Sequence, residues 1–98
     1  MKGIFTKGTL LKFWRECPEA EQYLKTWYSY TMASGWTKPN DVRQTFAGVS
    51  LLKNGRAVFN IKGNSFRLVV KINYERQWVF IRFIGTHEEY DKIDANTI

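Results

Sequence analysis

Cysteine occurs once in this chain, at Cys17, and histidine once, at His87. A single thiol permits no disulfide within the chain and no cysteine-built metal centre, which suits a reducing compartment such as the cytoplasm. No stretch approaches the ~20 apolar residues of a membrane-spanning helix, and Met1-Lys2-Gly3-Ile4-Phe5 lacks the apolar run of a secretory signal. The expectation is a soluble cytoplasmic protein without membrane attachment. There is no internal repeat, linker or low-complexity segment, so residues 1–98 are expected to form a single domain with one modest core. Acids are also scarce where they would matter most, because residues 53 to 82 contain only Glu75.

Basic side chains fill that gap. Lys53, Arg56, Lys62, Arg67, Lys71, Arg76 and Arg82 fall in the same segment, and the formal net charge of the whole chain is +6. The tail reverses the balance, with Glu88, Glu89, Asp91 and Asp94 against Lys92. A basic segment beside an acidic tail favours a polyanionic partner over a face that is merely solvated. Aromatic residues make up 16% of the chain, four of them Trp, enough to serve a core, a stacking surface or a partner interface.

The periodicity predicts helices first and strands afterwards. Residues 3 to 6 suit a short strand. Leu10, Phe13, Trp14 and Cys17 have helical spacing, with Thr9 placed as the cap and Pro18 as the break. A second helix is predicted from Glu19 or Ala20 to Ser34, with Tyr23, Leu24, Trp27, Tyr28 and Thr31 on one stripe and Gly35 as its stop. Lys38-Pro39-Asn40-Asp41 opens a short helical turn through Val42 to Phe46. From Asn54-Gly55 onward the period becomes two. Arg56 to Lys62, Ser65 to Tyr74 and Trp78 to Gly85 then form an antiparallel meander, with Gly63-Asn64 as a tight hairpin turn.

Each strand has one apolar face, which the two helices would cover. Ala57, Phe59 and Ile61 share it with Phe66, Leu68, Val70 and Ile72, and with Val79, Ile81 and Phe83. The opposite face gathers Asn60, Lys62, Arg67, Lys71 and Arg82, with Trp78 and Phe80 among them. Cations that hold phosphates, interleaved with rings that stack on bases, make the pattern expected for binding single-stranded RNA.

The last strand runs into Gly85-Thr86-His87-Glu88-Glu89-Tyr90. Thr86 and Glu89 have capping-box spacing, so a helix should begin at His87. Tyr90 and Asp91, three and four residues on, then share the side of His87. Cleavage of an RNA phosphodiester needs a base for the 2′-hydroxyl, cations for the charge on phosphorus and an acid for the 5′ oxygen. His87 or Tyr90 suits the proton transfers, Arg67 and Arg82 suit the phosphate, and nothing in this scheme requires a metal or cofactor. The bland alternative is that Tyr90 anchors the core, His87 sits idle on the surface, and Asp91 or Asp94 neutralises the arginines.

The segments V-F-N-I-K-G-N-S-F-R-L-V-V-K-I-N-Y and V-F-I-R-F-I-G-T-H-E-E-Y-D-K-I-D-A closely resemble the HigB branch of the RelE-like toxins. F-W-R-E-C-P-E-A-E, Trp27-Tyr28 and Trp36 to Val42 are similar to the same family, so the resemblance covers nearly the whole chain. It implies an α+β, RelE-like fold: a small antiparallel β-sheet, two N-terminal helices packed on one face and a short C-terminal helix. It also implies an mRNA interferase, a ribosome-dependent endoribonuclease that cuts mRNA at the A site. The implied partner is a HigA-like helix-turn-helix antitoxin, through which the pair reaches operator DNA. Carried onto this sequence, the family pattern makes Arg67 and Arg82 phosphate binders and His87 and Tyr90 proton-transfer residues. Asn60, Lys62, Lys71 and Trp78 are the accompanying RNA contacts. A non-catalytic RNA- or ribosome-binding module is the alternative, and a purely protein-binding domain a third reading. Outward aromatics of the N-terminal helices, among Trp14, Trp27, Tyr28 and Tyr30, offer surface for an antitoxin.

Overall fold

Alternating apolar residues from Arg56 onward produce three long antiparallel strands. A computed structural model, describing residues 1–98, sets them at the centre of a five-stranded sheet. The chain runs through β1 (Gly3–Phe5), α1 (Lys7–Glu16), a single 3-10 turn (Pro18–Ala20), α2 (Glu21–Ala33) and α3 (Pro39–Thr45). It continues through β2 (Ser50–Leu51), β3 (Arg56–Ile61), β4 (Phe66–Asn73), β5 (Trp78–Thr86) and α4 (His87–Tyr90). The strand order is β1-β5-β4-β3-β2, so the predicted meander is the middle of the sheet. The two short strands extend it, β1 running parallel to β5 and β2 antiparallel to β3. This is the α+β architecture expected, with helices before the sheet and a short helix after it.

Both helices begin away from the predicted residue. Thr6, not Thr9, occupies the cap position of α1, without a side-chain hydrogen bond, and Thr9 lies inside the first turn. Pro18 does end α1, but the chain restarts as the 3-10 turn before α2. The buried stripe of α2 is Leu24, Trp27 and Thr31, whereas Tyr23 is 49% exposed and leaves that stripe. Pro39 opens α3 as expected, at a position whose N–H would be unpaired in any helix.

The core lies between the helices and one face of the sheet. Leu10 and Trp14 of α1, with Leu24 and Trp27 of α2, pack on Phe59, Leu68, Val70 and Val79. Much of the aromatic content converges on Phe59, whose ring lies 5.5 Å from Trp27, 5.2 Å from Phe46 and 6.4 Å from a stacked Trp36. Burial of these rings removes a large apolar area from water and contributes strongly to stability in a chain of this size.

Two sequence-based side assignments are overturned. Val69 pairs with Phe83 and Val70 with Ile81, which leaves Arg82 as the extra residue of a β-bulge. Beyond it the alternation of β5 inverts, so Ile84 joins the helix-side core and Phe83 joins Val58 and Val69 on the other face. Lys62 also leaves the predicted face. It falls in the β3-β4 turn with φ 54°, followed by Gly63 at 61°, and its ammonium reaches Glu19 at 3.5 Å on the helix side. The left-handed conformation, not strand pleating, sets its direction.

Candidate functional site

The second face of the sheet is not an open basic plane. Residues 91–98 fold back over its middle, where Ala95 is buried against Val58 and Val69, with Phe83, Tyr90, Ile93 and Ile98 around them. This cover divides the predicted cations into two groups.

The first group stands where β5 meets α4. Thr86 Oγ1 accepts from the Glu89 N–H at 3.1 Å and Glu89 Oε1 accepts from the Thr86 N–H at 2.8 Å, the capping box that the sequence predicted. Gly85 is needed beneath it, since a β-carbon there would lie 2.6 Å from Phe83 Cζ and 3.0 Å from Glu89 Oε1. The His87 N–H donates to the Ser65 carbonyl at 3.1 Å, fixing α4 to the hairpin between β3 and β4. His87 is half exposed, and its Nδ1 stands 3.1 Å from Asp91 Oδ2. Arg67 comes from β4, opposite Gly85 on one side and Asn60 on the other. Its guanidinium donates to the Phe66 carbonyl at 3.2 Å and to Asn64 Oδ1 at 3.3 Å, and lies 5.9 Å from the centre of the Tyr90 ring. Tyr90 is half-buried, both an anchor of the tail cluster and a wall of this site.

No carboxylate neutralises Arg67. Asp91 is turned to His87, and Asp94 accepts from the Asn96 N–H at 2.9 Å. The internal partner that would make Arg67 merely structural is therefore not supplied. Imidazole and carboxylate are paired on one side of this junction, and guanidinium and phenol ring on the other, with N–H donors of Arg67 left over beyond its two hydrogen bonds. These are the groups for moving a proton and holding a phosphate. No three of the His, Cys, Asp and Glu side chains are grouped as a metal site requires.

The second group contains Arg82, Lys71 and Arg56. Lys71 pairs directly with Arg56 across β3 and with Phe80 across β5. Arg82 Nε donates to the Ile98 carbonyl at 3.2 Å, and Arg56 donates to that same carbonyl. Arg82 is thus held by the tail, away from the Arg67 fork with which the sequence grouped it. Arg56 was missed as a site residue, although its alternation with Val58 and Asn60 already put it on this face. Trp78 lies farther off, in an aromatic cluster with Phe5 and Phe80 at the outer end of the sheet.

On the helix side a separate groove of about 680 Å³ runs between α2, residues 45–49 and the edge of β3. Tyr30, 57% exposed, and Tyr23 stand along it, while Trp14 and Trp27 are buried in the core. Because β2 extends only as far as Val58, no strand lies beside Asn60 on this edge.

A family model for HigB_toxin, the RelE-like toxic component of a toxin-antitoxin system, matches residues 20–93. The mRNA interferase toxin HigB of Escherichia coli (strain K12) is 36% identical over 68 residues, covering 66% of this chain and 65% of the relative. The mRNA interferase HigB of Shigella flexneri matches with the same identity and coverage. That of Escherichia coli O6:H1 is 26% identical over 92 residues, 92% of this chain and 89% of the relative. The match to the first two spans just under two thirds of their length. With a family model that spans most of the residues and takes in β3 to α4, this chain belongs to the HigB toxin family, the RelE-like toxic components of toxin-antitoxin systems.

Proposed function

We propose that this protein is the toxin of a type II toxin-antitoxin pair and acts as a ribosome-dependent mRNA endoribonuclease. The observation that carries the reading is that the His87–Asp91 pair and the Arg67–Tyr90 pair both stand where β5 enters α4, with no carboxylate on Arg67. A phosphate of mRNA in the ribosomal A site would take the place of that missing anion. The 2′-hydroxyl loses its proton and attacks the adjacent phosphorus, a 2′,3′-cyclic phosphate forms, and the 5′ oxygen leaves with a proton. His87, oriented by Asp91, transfers a proton, and Tyr90 is the second candidate for that work. Arg67 stabilises the charge on the non-bridging oxygens, with Arg82 and Lys71 holding the strand farther along and Asn60 beside Arg67. These groups suffice without a metal.

In the same proposal a HigA-like helix-turn-helix antitoxin restrains the toxin and carries it to operator DNA. Its docking surface is the groove along α2, where Tyr23 and Tyr30 are exposed and the Asn60 backbone faces no strand. Primer extension on a defined mRNA in a cell-free translation reaction tests the activity. Cuts in register with codons, lost in Arg67→Ala and His87→Ala, are the expected result. Arrested translation without cuts would replace the enzyme with a non-catalytic ribosome-binding module.

A further inference from the structure

The end of the sheet farthest from α4 carries a feature that cleavage chemistry does not use. Phe5 of β1 and Trp78 and Phe80 of β5 lie on the second face, beyond the reach of the C-terminal tail. Phe5 stacks on Phe80 with ring centres 5.6 Å apart and 28° between planes, and Trp78 meets both rings edge-on at 6.0 and 6.1 Å. Gly3 makes room for this cluster, since a β-carbon there would lie 2.7 Å from Phe5 Cζ. Phe5 is nevertheless 44% exposed, so the cluster is no second core.

Cations surround it. The Arg76 guanidinium lies 5.3 Å from the centre of the Trp78 ring. Lys71 is the cross-strand neighbour of Phe80, and with Arg82 and Tyr74 these residues line a cleft of about 670 Å³ in which Glu75 is the one acid. Partly exposed rings flanked by three cations match a ligand in which flat bases alternate with phosphates.

We propose that Phe5, Trp78 and Phe80, with Arg76, Lys71 and Arg82, form a stacking platform for unpaired bases of an RNA strand, separate from the α4 site. This rests on the reading of the protein as an RNA-cutting toxin and assigns where the flanking strand lies. From Phe80 to Thr86 is about 17 Å along β5, at about 3.4 Å per paired residue, a distance that a short run of nucleotides spans on the same face. The scissile phosphate sits on Arg67, and neighbouring bases are held at the platform. A protein partner would have to bring carboxylates for the cations and apolar groups for the rings, whereas an RNA strand supplies phosphates and flat bases in alternation, which favours RNA.

The test is fluorescence anisotropy with a short labelled single-stranded RNA, and with the same RNA carrying abasic positions. Trp78→Ala and Phe5→Ala are expected to weaken binding about 10-fold each, within the range for loss of one stacked base. Trp78→Phe should retain most of the affinity. Arg76→Ala, at an exposed position that does not endanger the fold, should weaken binding and flatten its salt dependence. Lys12→Ala, on α1, is the control and should change nothing. Abasic RNA should bind the parent more weakly but lose little further against Trp78→Ala, a coupling that a merely structural tryptophan would not produce.

Equal affinity of Arg76→Ala, Trp78→Ala and the parent would overturn the platform. So would variants that keep RNA binding but no longer co-purify with the antitoxin, which would make this a protein surface. Cleavage in translation reactions separates the two levels of the argument. If the parent cuts mRNA while the variants bind and cut equally well, the platform falls and the nuclease stands. If the parent neither binds nor cuts RNA, both fall.

Discussion

The Arg67 guanidinium lies 5.9 Å from the centre of the Tyr90 ring and donates to Asn64 and to the Phe66 carbonyl. A planar cation is thereby set beside an aromatic ring and aimed by a turn, with no carboxylate to neutralise it. Lysine carries the same charge but cannot form the planar fork. Arg67→Lys should therefore lower the rate of mRNA cleavage about 100-fold, the order expected for loss of one preorganised donor to a transition-state oxyanion. Its melting temperature should stay close to that of the parent, because Arg67 is only half-buried. Codon-registered cleavage measured beside thermal melting checks this, and a lysine variant with parental activity would remove the fork from the mechanism.

His87 and Asp91 form a pair of unequal importance. The imidazole is the proposed proton carrier, whereas Asp91 orients it from 3.1 Å. His87→Ala should reduce cleavage about 10²- to 10⁴-fold, the range for removal of a general acid or base. Asp91→Asn should cost less, because an exposed histidine–carboxylate contact contributes little and the amide oxygen still accepts a hydrogen bond. The two defects should be far from additive in the double variant. Single-turnover rates for the three proteins would show this, and additive losses would mean that Asp91 does not act through His87.

The meander, the helix-covered face and the capping box at Thr86 were legible because each rests on local spacing that tertiary packing reinforces. The bulge was not. Nothing in Phe80-Ile81-Arg82-Phe83-Ile84 marks Arg82 as the extra residue, and one unpaired residue reverses the face of everything beyond it. The direction of Lys62 was hidden for a related reason, since a turn residue obeys its own φ rather than the strand period. Arg67, His87 and Tyr90 were legible as candidates from chemistry and spacing. Their separation from Arg82 depends on a tail whose docking residues, Ile93, Ala95 and Ile98, have no strong pattern of their own.

Acid should loosen the loop before α3. Asp41 Oδ2 accepts from the Thr37 N–H at 2.9 Å and from its hydroxyl at 3.1 Å. The Thr37 backbone hydrogen bond, helped by the Thr37 hydroxyl and the charge of Lys38, holds the Asp41 carboxyl below its ordinary value. A carboxyl with a depressed folded-state pKa stabilises the fold above its unfolded value of about 3.9, and that contribution disappears as pH falls through the lower folded value. Asp41→Asn should therefore be less stable than the parent at pH 7, and the difference should shrink as pH falls below about 4. Urea midpoints at pH 7 and pH 3 decide the matter. A gap that widens in acid would reverse the assigned sign.

The docking of residues 91–98 over the sheet makes the last prediction. Ala95 is 6% exposed and packs in one apolar cluster with Val58 and Val69. Ala95→Asp would place a carboxylate on an apolar surface, and freeing the tail costs less than burying the charge. The helix-side core does not depend on this contact, so the sheet should stay folded while the tail becomes the least protected part of the chain. Limited proteolysis should then cut between Tyr90 and Ile98 much faster than in the parent, with little change elsewhere. Release of the tail also removes the Ile98 carbonyl from Arg56 and Arg82 and takes packing away from Tyr90. RNA affinity at the freed cations should therefore rise or hold while cleavage falls, because Tyr90 loses the packing that keeps its ring beside Arg67. Parallel losses of affinity and cleavage would instead make the tail a support for the whole face, and unchanged proteolysis would show that Ala95 does not anchor it.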